Sequence, residues 1–200
     1  MELKERPVQL RGSALARGLL RLAGWRIEFA GLPARQGVII VYPHTSNWDF
    51  PLGLLTKWAA GVPLTFWGKD SLFRLPGVGA WMRWIGGVPV DRAASNGIVG
   101  QMAEALKEAR RHDRFLWLAL SPEGTRSYQP AWRSGFYHVA VNAGVPLGLA
   151  YFDYLRKVVS VDHFMTLSGQ LQADMAHIAG YLSRGVGKRP AQAAPIQLKP

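Results

Sequence analysis

From Gly37 to Leu182 short runs rich in β-branched and aromatic residues alternate with longer amphipathic stretches, and this alternation narrows the foldable architectures more than any other feature of the chain. The run Val38-Ile39-Ile40-Val41-Tyr42 predicts a first strong strand, followed by a helix over Asp49 to Ala60. Leu64 to Trp67 reads as a second strand, Gly79 to Ile85 as a short helix, and Val88-Pro89-Val90 as a brief extended segment after the Gly86-Gly87 turn. The clearest helix runs from Asn96 to Arg111, because Asn96 can cap it and Val99, Met102, Ala103 and Leu106 fall on one stripe. Phe115 to Leu120 then predicts a buried strand, Gly135 to Ala143 a helix, Pro146 to Phe152 and Val158 to Val161 two further strands, and Leu171 to Leu182 a closing helix. Strands joined by helical crossovers return in the same direction, and both faces of the resulting sheet are then covered. The expected fold class is α/β, with a central, mostly parallel sheet covered by helices.

A chain of 200 residues, 48% hydrophobic, fills one core and is too short for two. A single domain over residues 31–184 is expected, preceded by an N-terminal segment, 1–30, that carries an amphipathic helix from Leu10 to Trp25. In that helix Leu15, Leu19 and Leu22 recur at i, i+4 and i+7, while Arg17 and Arg21 lie on roughly the opposite face. The leucines can either lie on a membrane or cover the core of the domain. After Arg184 the composition shifts to Gly, Pro, Ala, Gln and Lys, which bury little apolar area, so residues 185–200 are expected to form a flexible tail.

Cysteine is absent, which excludes a disulfide scaffold, a thiolate nucleophile and any Cys-ligated metal site. With Lys and Arg at 24 against 13 Asp and Glu, the surface should attract phosphate, whether in nucleic acid, anionic lipid or a small substrate. No apolar run reaches the roughly 20 residues of a transmembrane helix, and the stretch from Gly18 to Trp25 is broken by Arg21 and Gly24. The N-terminal residues do not show the pattern of a secretory signal either, so a soluble or peripheral protein is expected.

His44, Thr45, Ser46, Asn47, Trp48 and Asp49 follow the first strong strand, where α/β proteins place binding groups beyond the carboxyl ends of strands. A His followed five positions later by Asp, across a tight strand-to-helix turn, lets the carboxylate accept a hydrogen bond from one imidazole nitrogen. The other nitrogen stays free as an acceptor, the tautomer is fixed, and an imidazolium formed during reaction is stabilised. Such a pair needs no protein nucleophile if the substrate brings its own hydroxyl.

Ser121-Pro122-Glu123-Gly124-Thr125-Arg126 follows the strand Phe115–Leu120, again at a carboxyl edge. Glycine there permits a tight turn, and Arg126 offers a planar charged fork suited to a phosphate. Glu123 can hold that fork or bond a substrate hydroxyl, although the same residues also read as an ordinary turn with a surface arginine. Between the two segments lie Lys69, Leu72, Pro76, Gly79 and Arg92. Lys69 and Arg92 can join Arg126 around an anionic headgroup, or pair with Asp70 and Asp91 in solvent.

In order and wording these pieces resemble the four blocks of the glycerolipid acyltransferase family, of which bacterial 1-acylglycerol-3-phosphate acyltransferase is a member. His44 and Asp49 match the first block, Lys69, Leu72, Pro76, Gly79 and Arg92 the second, Glu123-Gly124-Thr125-Arg126 the third, and Val145-Pro146-Leu147 the start of the fourth. The resemblance spans Val38 to Phe152 and departs from the family at Pro43, Ser71 and Leu149, of which the last two fall in blocks that shape the acceptor pocket. It implies His44 as general base and Asp49 as its orienting carboxylate. Lys69 and Arg126 are implied as ligands of a headgroup phosphate, Arg92 and Glu123 as their support, with Gly124 and Thr125 in the same loop. It further implies an acyl-CoA or acyl carrier protein donor and a lysolipid acceptor, most simply 1-acylglycerol-3-phosphate, with lyso-ornithine lipids and other lysolipids also open. No cofactor is required, and the implied location is peripheral, at an anionic membrane surface on the cytoplasmic face of the bacterial inner membrane.

The remaining histidines, His112, His138, His163 and His177, have no spacing that suggests a metal, and none is expected. Trp81, Trp84, Phe66 and Phe73 are candidate linings for an acyl groove, and Arg133 is a further cation near the third block. A nucleic-acid-binding module would also suit the net charge of +11, but neither a recognisable motif nor Lys and Arg clustered on one helix accompanies it. An inactive lipid-binding relative would not require both His44 and Asp49.

Overall fold

The computed structural model of the chain describes residues 1–90 and 95–199. The first half contains β1 (Glu2–Leu3), α1 (Ala14–Leu22), β2 (Arg26–Glu28), β3 (Gln36–Tyr42), α2 (Asp49–Ala60), β4 (Leu64–Lys69), α3 (Asp70–Phe73), α4 (Val78–Trp84) and β5 (Gly87–Val90). The second half contains α5 (Ser95–Arg111), β6 (Leu116–Leu120), α6 (Gly135–Ala143), β7 (Leu147–Asp153), β8 (Val158–Met165) and α7 (Leu171–Leu182). The strands form one sheet in the order β1-β8-β7-β3-β6-β4-β5, with β2 added along β8. Pairings through the centre are parallel, and β8 runs antiparallel to β7 and β1. The fold is thus the α/β arrangement expected from the alternating pattern. The short strands β1 and β2 were not legible, being too brief to show a period.

Strand β3 explains the layering. Its side chains alternate between faces: Val38, Ile40 and Tyr42 pack with Ala103 and Leu106 of α5, Phe136 and Val139 of α6, and Ile178 and Leu182 of α7. Ile39 and Val41 point the other way, into clusters that include Val62, Trp117 and Phe164 on one side and Leu52 and Ala59 of α2 on the other. Both faces of β3 are therefore covered, which is why its sequence is continuously apolar.

Helix α1 is shorter than expected, and it settles which of its faces meets the domain. Ser13 caps it by accepting from the backbone N–H of Ala16. Ala16 and Leu20 pack on Leu52 and Ala59, whereas Leu15, Leu19 and Leu22 are 74, 45 and 87% exposed. Small Ala16 lets α1 approach α2 closely, and Arg17 reinforces the contact by donating to the carbonyls of Ala59 and Gly12. The leucine stripe does not cover the core.

Residues 185–199 correct the expectation of a flexible tail. Val186 bridges Asp153, Leu198 bridges Trp132, and Ala194 is 1% exposed. The segment bears little apolar mass, but it is held by backbone groups: Val186 N–H donates to Phe152, and Trp132 and Lys199 exchange bonds with Gln197 and Trp132 respectively. Gly185 and Gly187 permit this approach, since a Cβ on Gly187 would meet Thr45 Oγ1 at 2.6 Å and one on Gly185 would meet Pro43 at 2.9 Å.

Strands β3, β4, β6 and β7 run in one direction, so the turns after them gather on one edge of the sheet. That edge receives His44, Lys69, the Ser121–Arg126 segment and Tyr154.

Candidate active site

The turn from β3 into α2 is organised by Asp49, which is 3% exposed. Its Oδ2 accepts the backbone N–H groups of Thr45 at 2.8 Å and Ser46 at 2.9 Å, and His44 Nδ1 lies 3.2 Å from the same oxygen. Oδ1 accepts the Tyr154 hydroxyl at 2.6 Å. Burial pushes the Asp49 carboxyl up, but the bonds from His44, Tyr154 and Ser46 outweigh it and hold the group below its ordinary value. An ionised carboxylate therefore fixes Nδ1 of His44 as the protonated nitrogen. Nε2 has no protein partner among the described residues, and the ring borders a cavity.

Glu123 has a different position from the one expected of a phosphate-site residue. It is 3% exposed; Oε2 accepts the backbone N–H of His44 at 2.5 Å, and Oε1 accepts that of Ala194 at 3.0 Å. Tyr42 completes the unit by donating its hydroxyl to the Ala194 carbonyl. Burial raises the Glu123 carboxyl above its ordinary value, only partly offset by the N–H groups of Ala194 and His44. Both oxygens accept main-chain N–H groups, and the Ser121 hydroxyl lies 3.5 Å from Oε2, so Glu123 braces the turn that bears His44 and does not hold the Arg126 fork.

The rest of the third block is more open. Gly124 has φ 68°, a left-handed conformation that suits glycine, and a Cβ there would meet Arg133 Nε at 3.0 Å. Thr125 is half-buried and Arg126 is exposed. Lys69 is exposed at the end of β4, separated from β3 by β6. Arg92 lies outside the described residues. Among the described residues Lys69, Arg126 and Arg133 form no ion pair with a carboxylate.

The cavity beside His44, about 210 Å³, extends beneath α2 away from the dyad. Ile39 and Val41 of β3, Leu54 of α2, Phe66 and Ala150 line it, and it reaches Ala60, Val62 and Leu64 at the opposite end of the sheet. Of the four aromatics expected to line an acyl groove, only Phe66 does. Phe73 is buried with Met82 and Ile85, while Trp81 and Trp84 are 45 and 75% exposed.

Two features of the site had no signal in the sequence reading. Tyr154 follows β7, and its burial together with Asp49 raises its phenol well above the usual range, so it remains a donor. The C-terminal segment reaches the turn between His44 and Asp49 through Arg189 N–H, which donates to Thr45 Oγ1 at 3.2 Å. A tyrosine at a strand's carboxyl edge and two glycines two residues apart are the local traces of these contacts.

Tyr154→Phe removes a neutral hydroxyl from an ionised acceptor while keeping the ring, which meets Trp25 edge-on at 5.0 Å. Loss of a hydrogen bond to a charged group is expected to cost about 1.5–3 kcal/mol of stability, read from urea midpoints. An unchanged midpoint would mean that solvent replaces the hydroxyl.

Comparison with known proteins bears on this geometry. A family model described as Acyltransferase matches residues 26–148. The chain is also similar in structure to the 1-acyl-sn-glycerophosphate (LPA) acyltransferase PlsC of Thermotoga maritima, with a TM-score of 0.57 and 20% identity over 84% of this chain and 74% of that one. No curated protein matches the sequence significantly.

Proposed function

The chain belongs to the acyltransferase family, its model covering residues 26–148 of 200, and on that premise we propose that it transfers a fatty acyl group from a thioester to the hydroxyl of a lysophospholipid, most simply 1-acylglycerol-3-phosphate. The observation that carries this reading is a His44–Asp49 dyad at the mouth of an apolar cavity.

His44 Nε2 removes the proton of the acceptor hydroxyl as its oxygen attacks the thioester carbonyl. The new C–O bond forms, the C–S bond then breaks, and the proton passes from the imidazolium to the departing thiolate. Asp49 stabilises the imidazolium and fixes its orientation, and the cavity takes the acyl chain. Acyl-CoA and acyl carrier protein both supply such a thioester. A thiol leaves readily, so this scheme uses no metal or redox group.

Lys69 and Arg126 are assigned to the acceptor phosphate, with Arg92, Gly124 and Thr125 completing that site. The support is that Lys69 and Arg126 follow strands at a common sheet edge and that, among the described residues, neither pairs with a carboxylate. Glu123 is reassigned to bracing His44. The test is a panel of lysolipids with labelled acyl-CoA and the product identified. Lysophosphatidate should be the preferred acceptor, and Arg126→Ala should lower its kcat/KM by about 2–3 kcal/mol, with Arg126→Lys recovering part. Faster turnover of a phosphate-free acceptor such as a lyso-ornithine lipid would leave acyl transfer standing and remove the phosphate role.

Attachment is proposed to be peripheral, on the anionic cytoplasmic face of a bacterial inner membrane. Its support is the outward stripe Leu15, Leu19 and Leu22, flanked by Arg17 and Arg21, on a chain of net charge +11. Among the described residues no helix is long and apolar enough to cross a membrane. Replacing the three leucines by serine should weaken sedimentation with phosphatidylglycerol vesicles, and added salt should weaken that of the unaltered chain. Equal sedimentation of both proteins would move the contact elsewhere.

A further inference from the structure

Residues 185–199 lie outside the stretch matched by the family model, yet they run along the catalytic turn. Arg189 N–H donates to Thr45 Oγ1, next in sequence to His44, and Ala194 N–H shares the Glu123 carboxylate with the backbone of His44. The Gln192 amide, oriented to donate, reaches the carbonyls of Thr45 at 2.9 Å and Arg126 at 3.1 Å. Lys188 Nζ sits 4.8 Å above the ring of Trp48, itself 63% exposed and adjacent to Asp49. The strap is thereby pinned at five points to the segment that bears the dyad and to the third block. Lys188, Arg189, Pro190 and Ala191 are exposed there, and the first two carry charge.

Among the described residues the side chains of these two cations have no partner beyond the Trp48 ring. Among the described residues neither forms an ion pair. The nearby carboxylates of Asp49 and Glu123 are buried and filled by backbone and side-chain donors, so they cannot neutralise them. Gln192 ties the same strap to the backbone carbonyl of Arg126, a third cation without an ion pair among the described residues. Exposed cations without carboxylate partners attract a dianionic or polyanionic group.

We propose that Lys188 and Arg189, carried by the C-terminal strap, form an anion site at the mouth of the dyad that binds a phosphate of the substrate, borne either by the acyl donor or by the acceptor headgroup. This rests on the acyl-transfer reading. It extends that reading to residues outside the four sequence blocks, and it gives the pinned strap a role in substrate affinity. Binding there places charge near Trp48 without contact to the reacting atoms, so the effect belongs in KM and not in kcat.

The experiment compares the unaltered protein with Lys188→Ala/Arg189→Ala in four substrate combinations. Palmitoyl-CoA or palmitoyl-N-acetylcysteamine, which lacks phosphate, serves as donor, and lysophosphatidate or monoacylglycerol as acceptor. The double variant should lose at least about tenfold in kcat/KM through KM wherever the bound phosphate is present, and its rate should depend less steeply on salt. Loss that disappears with the N-acetylcysteamine thioester assigns the phosphate to the donor. Loss that disappears with monoacylglycerol assigns it to the acceptor. Equal kinetics in all four, or an equal loss with and without phosphate, overturns the anion site; Lys188→Arg/Arg189→Lys should restore most of the affinity. Should the unaltered protein transfer no acyl group in any combination, the acyl-transfer reading fails on its own. Calorimetric titration of both proteins with CoA and with lysophosphatidate then decides the anion site, equal affinities for both ligands overturning it.

Discussion

His44→Ala is expected to leave the protein folded and to lower turnover at least about a hundredfold, the usual loss when a general base is removed. Nothing in the packing opposes the substitution: the imidazole is partly exposed, and its backbone N–H, which Glu123 holds, is retained in alanine. Asp49→Asn should also cut turnover, but for a compound reason. Oδ2 serves His44 and two backbone N–H groups while Oδ1 serves Tyr154, so an amide must present its NH2 to donors on one side or the other. The two substitutions together should cost little more than the worse of them, because base and orienter act as one unit. A folded His44→Ala protein with near-unaltered turnover would sink the mechanism.

The same carboxylate gives a pH signature. Asp49 is held below its ordinary value, so the folded state binds its proton less readily than the unfolded state does. Its contribution to stability is complete above the ordinary Asp range and is lost as pH falls through the depressed folded value. Asp49→Asn should flatten that acid limb in urea titrations.

The sequence made the dyad legible because His44 and Asp49 are local partners across one turn, and a spacing can express a local contact. It made the α/β layering legible because Val38 to Tyr42 is apolar on both faces, which a strand sandwiched between helix layers requires. The face of α1 was not legible: Leu15, Ala16, Leu19, Leu20 and Leu22 cover too much of its circumference for periodicity to single out the small-residue side. Tyr154 reaches Asp49 across 105 positions, a separation no motif encodes. The C-terminal strap was misread for a physical reason. Composition measures apolar area, whereas this segment is anchored by backbone hydrogen bonds and by glycines that let it close on Pro43 and Thr45. The partners of Glu123 were not legible for the same reason, since they are main-chain N–H groups that carry no residue identity.

Glu123→Ala tests that reassignment with the largest expected effect on stability. The substitution leaves the part-buried N–H of His44 and the buried N–H of Ala194 without this acceptor, at about 1–3 kcal/mol each, and releases both the His44 turn and the strap from one anchor. Turnover should fall as well, by about ten- to a hundredfold, because a small displacement of His44 Nε2 is enough to lose alignment. Glu123→Gln separates charge from geometry. Its single amide oxygen can serve only one of the two N–H groups, so it should be less stable than the unaltered chain and more stable than the alanine variant. Linkage supplies a second readout. Burial raises Glu123, so the folded state binds this proton more tightly than the unfolded state, and the group's contribution declines as pH rises from the ordinary Glu range through the folded value. That declining limb should be absent from Glu123→Gln when urea midpoints are followed from acid to neutral pH. If Glu123 instead bonded a substrate hydroxyl, both variants would raise KM with the midpoints unmoved, and bracing of His44 by this carboxylate would be wrong.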